Sequence, residues 1–190
     1  MTRQSGPLDN EEYLRQGMHG DHTFVESIPR WAVRSDMDAA LISGEMLCIG
    51  VPLQPGDTAA AITFITGATA ADTVTAGFVA LYSDDAIPVL LDQSASLAGQ
   101  TFAANTAYTF PIPSPHTVVR AGIYYVVISL TATTVPSLRG TALGNRAVAG
   151  DLGLGVAALA LNAGTALGDT APSTIDIHTL SGSLPYLVVS

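Results

Sequence analysis

Several constellations in this 190-residue chain carry residue types that could do chemistry. His19-Gly-Asp-His22 offers two imidazoles and a carboxylate, ordinary zinc ligands, but a closed site needs a fourth and nothing in the spacing brings His116 or His178 to it. It reads as a turn in water. Asp84-Asp85 and Asp36-x-Asp38 could meet calcium, yet both lack the dense acidic and glycine spacing of a calcium-binding loop. Asp176-Ile-His178 puts an acid and a base on one face of an extended segment; no Gly-x-Ser-x-Gly elbow supplies a nucleophile, so the pair is assigned to structure. Gly153-Leu-Gly155-Val-Ala-Ala158 matches a dinucleotide fingerprint, with Asp176 near the place of the ribose-binding acid. That motif has meaning only between a strand and a helix, and no alternation of strand and helix surrounds it. Cys48 stands alone in an apolar run, where a small core residue is a better reading than a nucleophile. No catalytic set, metal or cofactor is therefore expected, and the chain is read as a non-enzyme.

The elements that would carry these residues are mostly strands. From residue 46 onward, short β-branched and aromatic runs alternate with Gly, Pro, Asp and Asn. The runs predict strands at Met46–Val51, Ala59–Thr66, Val74–Ser83, Val89–Gln93, Ala107–Pro111, Thr117–Val119, Ile123–Thr131 and Tyr186–Val189. Pro52 to Asp57 reads as a turn, because Pro55 presets φ and Gly56 accepts φ > 0. Ser83-Asp84-Asp85 reads as a hairpin loop, and Ile123 to Leu130 as the central strand. In the third run Phe78, Ala80 and Tyr82 oppose Val79 and Leu81, so both faces are apolar. That pattern suits two packed sheets or a strand beneath a subunit contact. The fold expected is all-β: a single sandwich over residues 46–190, with jelly-roll or Greek-key wiring and a Gly/Ala-rich stretch at 142–173.

Residues 1–45 differ in character, holding all four Glu of the chain (Glu11, Glu12, Glu26, Glu45). They predict an extended N-terminal arm with a short helix over Asp9 to Gln16, capped by Asp9. Its apolar residues have no regular period and cannot make a core of their own. Tyr13, Phe24, Ile28 and Trp31 are thus the expected partner-binding residues of a strap that orders on a neighbour. Met1 to Gln16 has no apolar stretch of the kind a secretion signal needs.

Composition limits the partners. Seven Arg and no Lys stand against 16 acidic residues, giving a net charge of -9 and a pI near 4.5. The Arg are dispersed, so neither nucleic acid nor an anionic membrane surface is an expected partner. Charged residues make up 12% of the chain, about half of the usual share, so part of the exterior must be apolar or hydroxylic. A surface of that kind points to assembly.

Four segments, Gly77-Phe-Val-Ala-Leu-Tyr-Ser83, Val89-Leu-Leu-Asp-Gln-Ser94, Ala104-Asn-Thr-Ala-Tyr-Thr-Phe110 and Ala121-Gly-Ile-Tyr-Tyr-Val-Val-Ile128, follow one another at a recognisable cadence and lead to Thr133-Thr-Val-Pro136. The cadence, over roughly residues 46–138, resembles virion proteins of actinobacterial tailed phages, described variously as head decoration, head fibre or minor tail proteins. The resemblance implies a structural protein on the particle surface, made in the host cytoplasm. It carries no catalytic residues. The expected role is capsid decoration by a homotrimer bound to the major capsid protein. The alternative is a minor tail or fibre protein touching the host surface or its glycans, through aromatics such as Tyr108, Tyr124, Tyr125 and Tyr186.

Overall fold

The computed structural model describes residues 19–20 (backbone only), 24–37, 40–142 and 158–190. The described residues form an all-β sandwich of antiparallel sheets with one 3-10 turn. In chain order the strands are β1 (His19–Gly20), β2 (Phe24–Glu26), β3 (Ser35–Met37), β4 (Met46–Leu53), β5 (Thr58–Ile65), β6 (Ala76–Tyr82) and β7 (Leu90–Gln93). They continue as β8 (Ala107–Thr117), β9 (Gly122–Thr131), β10 (Leu138–Ala142), β11 (Ala160–Ala163), β12 (His178–Leu180), β13 (Ser183–Pro185) and β14 (Leu187–Val189).

A five-stranded sheet, β1-β2-β14-β5-β8, packs on a six-stranded sheet, β12-β11-β4-β9-β6-β7, and a three-stranded sheet, β13-β10-β3, extends the same core. Neighbours distant in sequence, such as β4 with β9 and β5 with β14, give the wiring its Greek-key character. Residue alternation explains the layers. Ile62 and Phe64 of β5 face inward with Leu187 and Val189 of β14, meeting Ile49 and Val51 of β4, Val126 and Ile128 of β9, and Val79 and Leu81 of β6. Phe64 anchors an aromatic cluster, with Phe110 at 5.6 Å and Phe102 at 5.9 Å between ring centroids.

The other face of the six-stranded sheet holds a second core. Met46, Cys48, Phe78, Ala80, Tyr82, Tyr125 and Val127 point outward from the sandwich, and Ala171 and Ile175 of the segment between β11 and β12 pack onto them. The two apolar faces of β6 are therefore both satisfied within the chain.

The expected turns form as their residues dictate. Gly56 has φ +97° between β4 and β5, where Asp57 accepts the Gln54 N–H through Oδ2 at 2.7 Å. Gly77, which opens the first resemblance segment, lies so close to β9 that a Cβ would stand 2.6 Å from the Ser129 carbonyl. Asn105 takes φ 52° ahead of β8, and Thr106 turns both backbone groups to Thr66. The predicted run at 107–111 extends into the single strand β8, which ends at Thr117, so Val118 and Val119 of the run expected at 117–119 lie beyond it; β8 pairs with β5 across a register shift between Ala59 and Ala61.

Part of the stretch expected to be an arm is built into the sheets. β2 pairs with β14 and β3 pairs with β10, so residues 24–37 belong to the sandwich. The partners on the same chain, Val188 to Val189 and Leu138 to Gly140, lie far along the sequence, where no local period could reveal them. The expected helix at 9–16 lies outside the described residues.

Phe64 provides a test of the main core. Phe64→Ala is expected to lower unfolding stability by about 3–5 kcal/mol, because the cavity lies among fixed rings. Thr63→Ala, which loses only an exposed hydroxyl contact to Thr109, should cost about 1 kcal/mol or less. Denaturant titration of both variants checks the difference.

Candidate functional site

Two surface features have the geometry of a site. The first is a cleft of about 400 Å³ at the junction of β4, β11 and β12, lined by Glu45, Met46, Asn162, Asp176, His178 and Thr179 among others. Its wall is the segment that covers the second core, which leaves β11 through a turn with Gly164 at φ 68° and Ala166 at φ 52°. Asp169 pins that segment to the sheet: its Oδ1 accepts the Gly77 N–H at 2.9 Å and the Ser96 hydroxyl at 2.7 Å. Gln93 of β7 adds bonds to the Asp169 carbonyl and the Ala171 N–H. Tyr82 donates to the Pro172 carbonyl at 2.6 Å. Tyr125 donates to the Ala158 carbonyl at 2.9 Å. The Ser96 and Gly77 hydrogen bonds hold the Asp169 carboxyl below its ordinary value.

The second feature is Trp31, 76% exposed on the 3-10 turn Arg30–Ala32. Pro29 fixes the entry, and the Ala32 and Val33 N–H groups close the turn on the Pro29 and Arg30 carbonyls. On one side Ser27 is tied to Pro185 and Leu187; on the other the Arg34 N–H donates to the Gly140 carbonyl at 3.1 Å. Beneath the turn, the carboxylate of Glu26, only 3% exposed, accepts from Arg30 Nε and from the Tyr186 hydroxyl at 2.7 Å. The Arg30 guanidinium also lies 5.0 Å from the Phe24 ring centre. Burial, with Glu26 as an added cause, pushes the Tyr186 phenol up to about 12, so it stays a donor across the physiological range. The turn is thus a rigid mount for an indole in water.

The four expected partner-binding residues fall in different places. Trp31 is exposed, Phe24 is half-buried on β2, and Ile28 is buried in the main core, so it is unavailable to a neighbour. Tyr13 lies outside the described residues. Of the glycan-facing aromatics considered, Tyr124, Tyr125 and Tyr186 are buried and Tyr108 is half-buried.

The chemistry-bearing residues separate as well. Asp84 and Asp85 pair with Arg120 at 2.8 and 3.4 Å. Asp36 accepts the Ala68 N–H at 2.8 Å and lies 3.6 Å from Arg139. Cys48 is fully buried, and burial pushes its thiol up to about 12, which suits a core residue. Asp21, His22, Asp38 and the glycine-rich motif from Gly153 to Val156 and Ala157 lie outside the described residues. No group of three potential metal ligands gathers among the described residues. Asp176 and His178 do share the cleft, and Glu45 joins them from the start of β4. Glu45 was not singled out in sequence; its only signal there is its place beside the first strong strand. No helix among the described residues is long and apolar enough to cross a membrane. No protein-family model matches the chain, and no curated protein matches it.

Cys48 reports on the cover. Asp169→Ala should raise the rate at which 4,4′-dithiodipyridine labels Cys48 at neutral pH, while Asp176→Ala, beyond the anchor, should not. Because the folded carboxyl is lowered, its contribution is complete above the unfolded value and is lost as pH falls through the folded one. In the wild type, labelling should therefore accelerate only below the ordinary value of 3.8.

Proposed function

We propose that this chain is a non-enzymatic structural subunit of a tailed-phage particle, a capsid decoration protein that binds the major capsid protein and itself, as a homotrimer. The observation that carries the reading is Trp31: a sole tryptophan held in water by a buried carboxylate, a guanidinium and two flanking strands. Large rigid aromatics on a fixed mount are what binding surfaces use as anchors, since little side-chain entropy remains to be lost. The resemblance supports the setting. Its segments fall on β6 to β9, and Gly77, Asn105 and Thr106 serve close packing and turns, so the shared cadence concerns a scaffold rather than a reaction.

The tethering role first expected of residues 1–45 passes to the stretch ahead of β1 together with Trp31, since residues 24–37 are committed to the sheets. On a particle each contact is repeated over many copies, so a modest anchor suffices. The glycan-binding alternative lacks favourable support, because its candidate tyrosines are withdrawn from the surface.

Immunogold electron microscopy of particles from the phage that encodes the chain tests the reading, and label over the whole head is the expected result. Label confined to the tail would move the role to a minor tail or fibre protein. Unlabelled particles would overturn the virion assignment. Deleting residues 1–18 should reduce incorporation into particles; unchanged incorporation would sink the tether.

A further inference from the structure

Trp31 and the cleft complement one another. In the sequence Arg30 precedes the indole and Arg34 follows three residues on, both exposed. Arg30 shares its charge with Glu26, whereas Arg34 has no carboxylate partner among the described residues. The cleft has an apolar floor of Met46, Ala163 and Ile175, and its walls carry the carboxylates of Glu45 and Asp176. Ile177, 81% exposed, also lines the cleft and offers an apolar surface to an incoming ring. Cationic and aromatic on one side, anionic and apolar on the other, the two surfaces match in charge and in character.

Trp31 is not part of the cleft lining, and its turn is fixed at both ends, so it cannot enter the cleft of its own chain. We propose that the Trp31 turn of one copy docks in the Glu45/Asp176 cleft of a second copy, with Arg34 facing the carboxylates. The occupant of the cleft is a second copy of this chain. The contact joins two different surfaces, so repetition gives a ring where its rotation closes, of which a trimer is one case, and an open chain of copies where it does not. The cleft volume, about 400 Å³, leaves an indole room to enter. This inference rests on the self-assembly part of the proposed function and supplies its contact.

The test uses the full chain. Light scattering coupled to size exclusion should show the wild type associating in a concentration-dependent manner. As the only tryptophan, Trp31 should shift its emission to the blue as association proceeds. Trp31→Ala and Asp176→Arg should each weaken association by about 30-fold or more, as expected for removal of an anchor or reversal of its counter-charge. Added salt should weaken the wild type in the same direction. Mixed one to one, the two variants should associate again, because the first keeps an intact cleft and the second an intact Trp31. That recovery cannot come from misfolded chains.

A monomeric wild type, unaltered association in Trp31→Ala, or failure of the mixture to associate would overturn the proposal. A monomeric wild type on particles whose heads are labelled would end this inference and leave the decoration role standing. A Trp31-dependent oligomer absent from particles would do the reverse.

Discussion

Phe78, Ala80 and Tyr82 point away from the main core, and so do Met46, Cys48 and Val127 on the strands beside them. Left in water, such a face would forfeit roughly 1.5–3 kcal/mol for each large side chain, and a contiguous apolar patch would invite aggregation. The segment between β11 and β12 removes that penalty, and side-chain hydrogen bonds hold it in place. Tyr82 gives its hydroxyl to the Pro172 carbonyl of the cover, Tyr125 gives its own to the Ala158 carbonyl just ahead of β11, and Asp169 reaches back to β6 and to Ser96. The cover creates the cleft as a by-product. Its exit toward β12 is what brings Asp176 and His178 opposite Glu45.

That second core also changes the meaning of the composition. A chain with few charges and many apolar residues was read as a chain with partners, and part of the apolar content turns out to cover the chain's own sheet. Among the described residues, the large apolar side chains that remain exposed are Trp31, Ile42, Ile87, Val89, Val119, Ile177 and Leu180. Single exposed apolar residues are normal, so Trp31 matters because of its mount and its size rather than because of a broad greasy face.

The strands most fully legible in the sequence are the long ones, although the short β7 and β14 also form where runs at Val89–Gln93 and Tyr186–Val189 predict them. β4, β5, β6 and β9 each run seven to ten residues and sit where their β-branched and aromatic runs predict, with β9 between β4 and β6. The turn at Gly56 was equally readable. β2, β3, β12 and β13 are three residues each, too short for a period to show, and β10 contains Arg139 and Gly140, which belong to no strand pattern. Their existence depends on partners distant in sequence. The cleft was illegible for the same reason: Asp176 and His178 were visible as a pair, but only the β4–β11 register sets Glu45 and Met46 beside Asn162 and Ala163.

The sheet edges bear on how copies can meet. Thr106 directs its backbone groups toward Thr66, so alternation turns Pro111 to the open side of β8. Proline offers no N–H to an incoming strand, which blocks edge-to-edge growth along this sheet. β12, at one edge of the six-stranded sheet, is only three residues long, and Ser114 bonds to Asp92 of β7 at 2.6 Å at the other. Strand addition is therefore a poor route to assembly at the β7, β8 and β12 edges. Side chains on a rigid mount offer another route, and a carboxylate buried at Glu26 is tolerable because Arg30 and Tyr186 satisfy it. Removing Arg30 would leave that charge under the turn without its counter-ion, so the mount and its exposed indole depend on the pair.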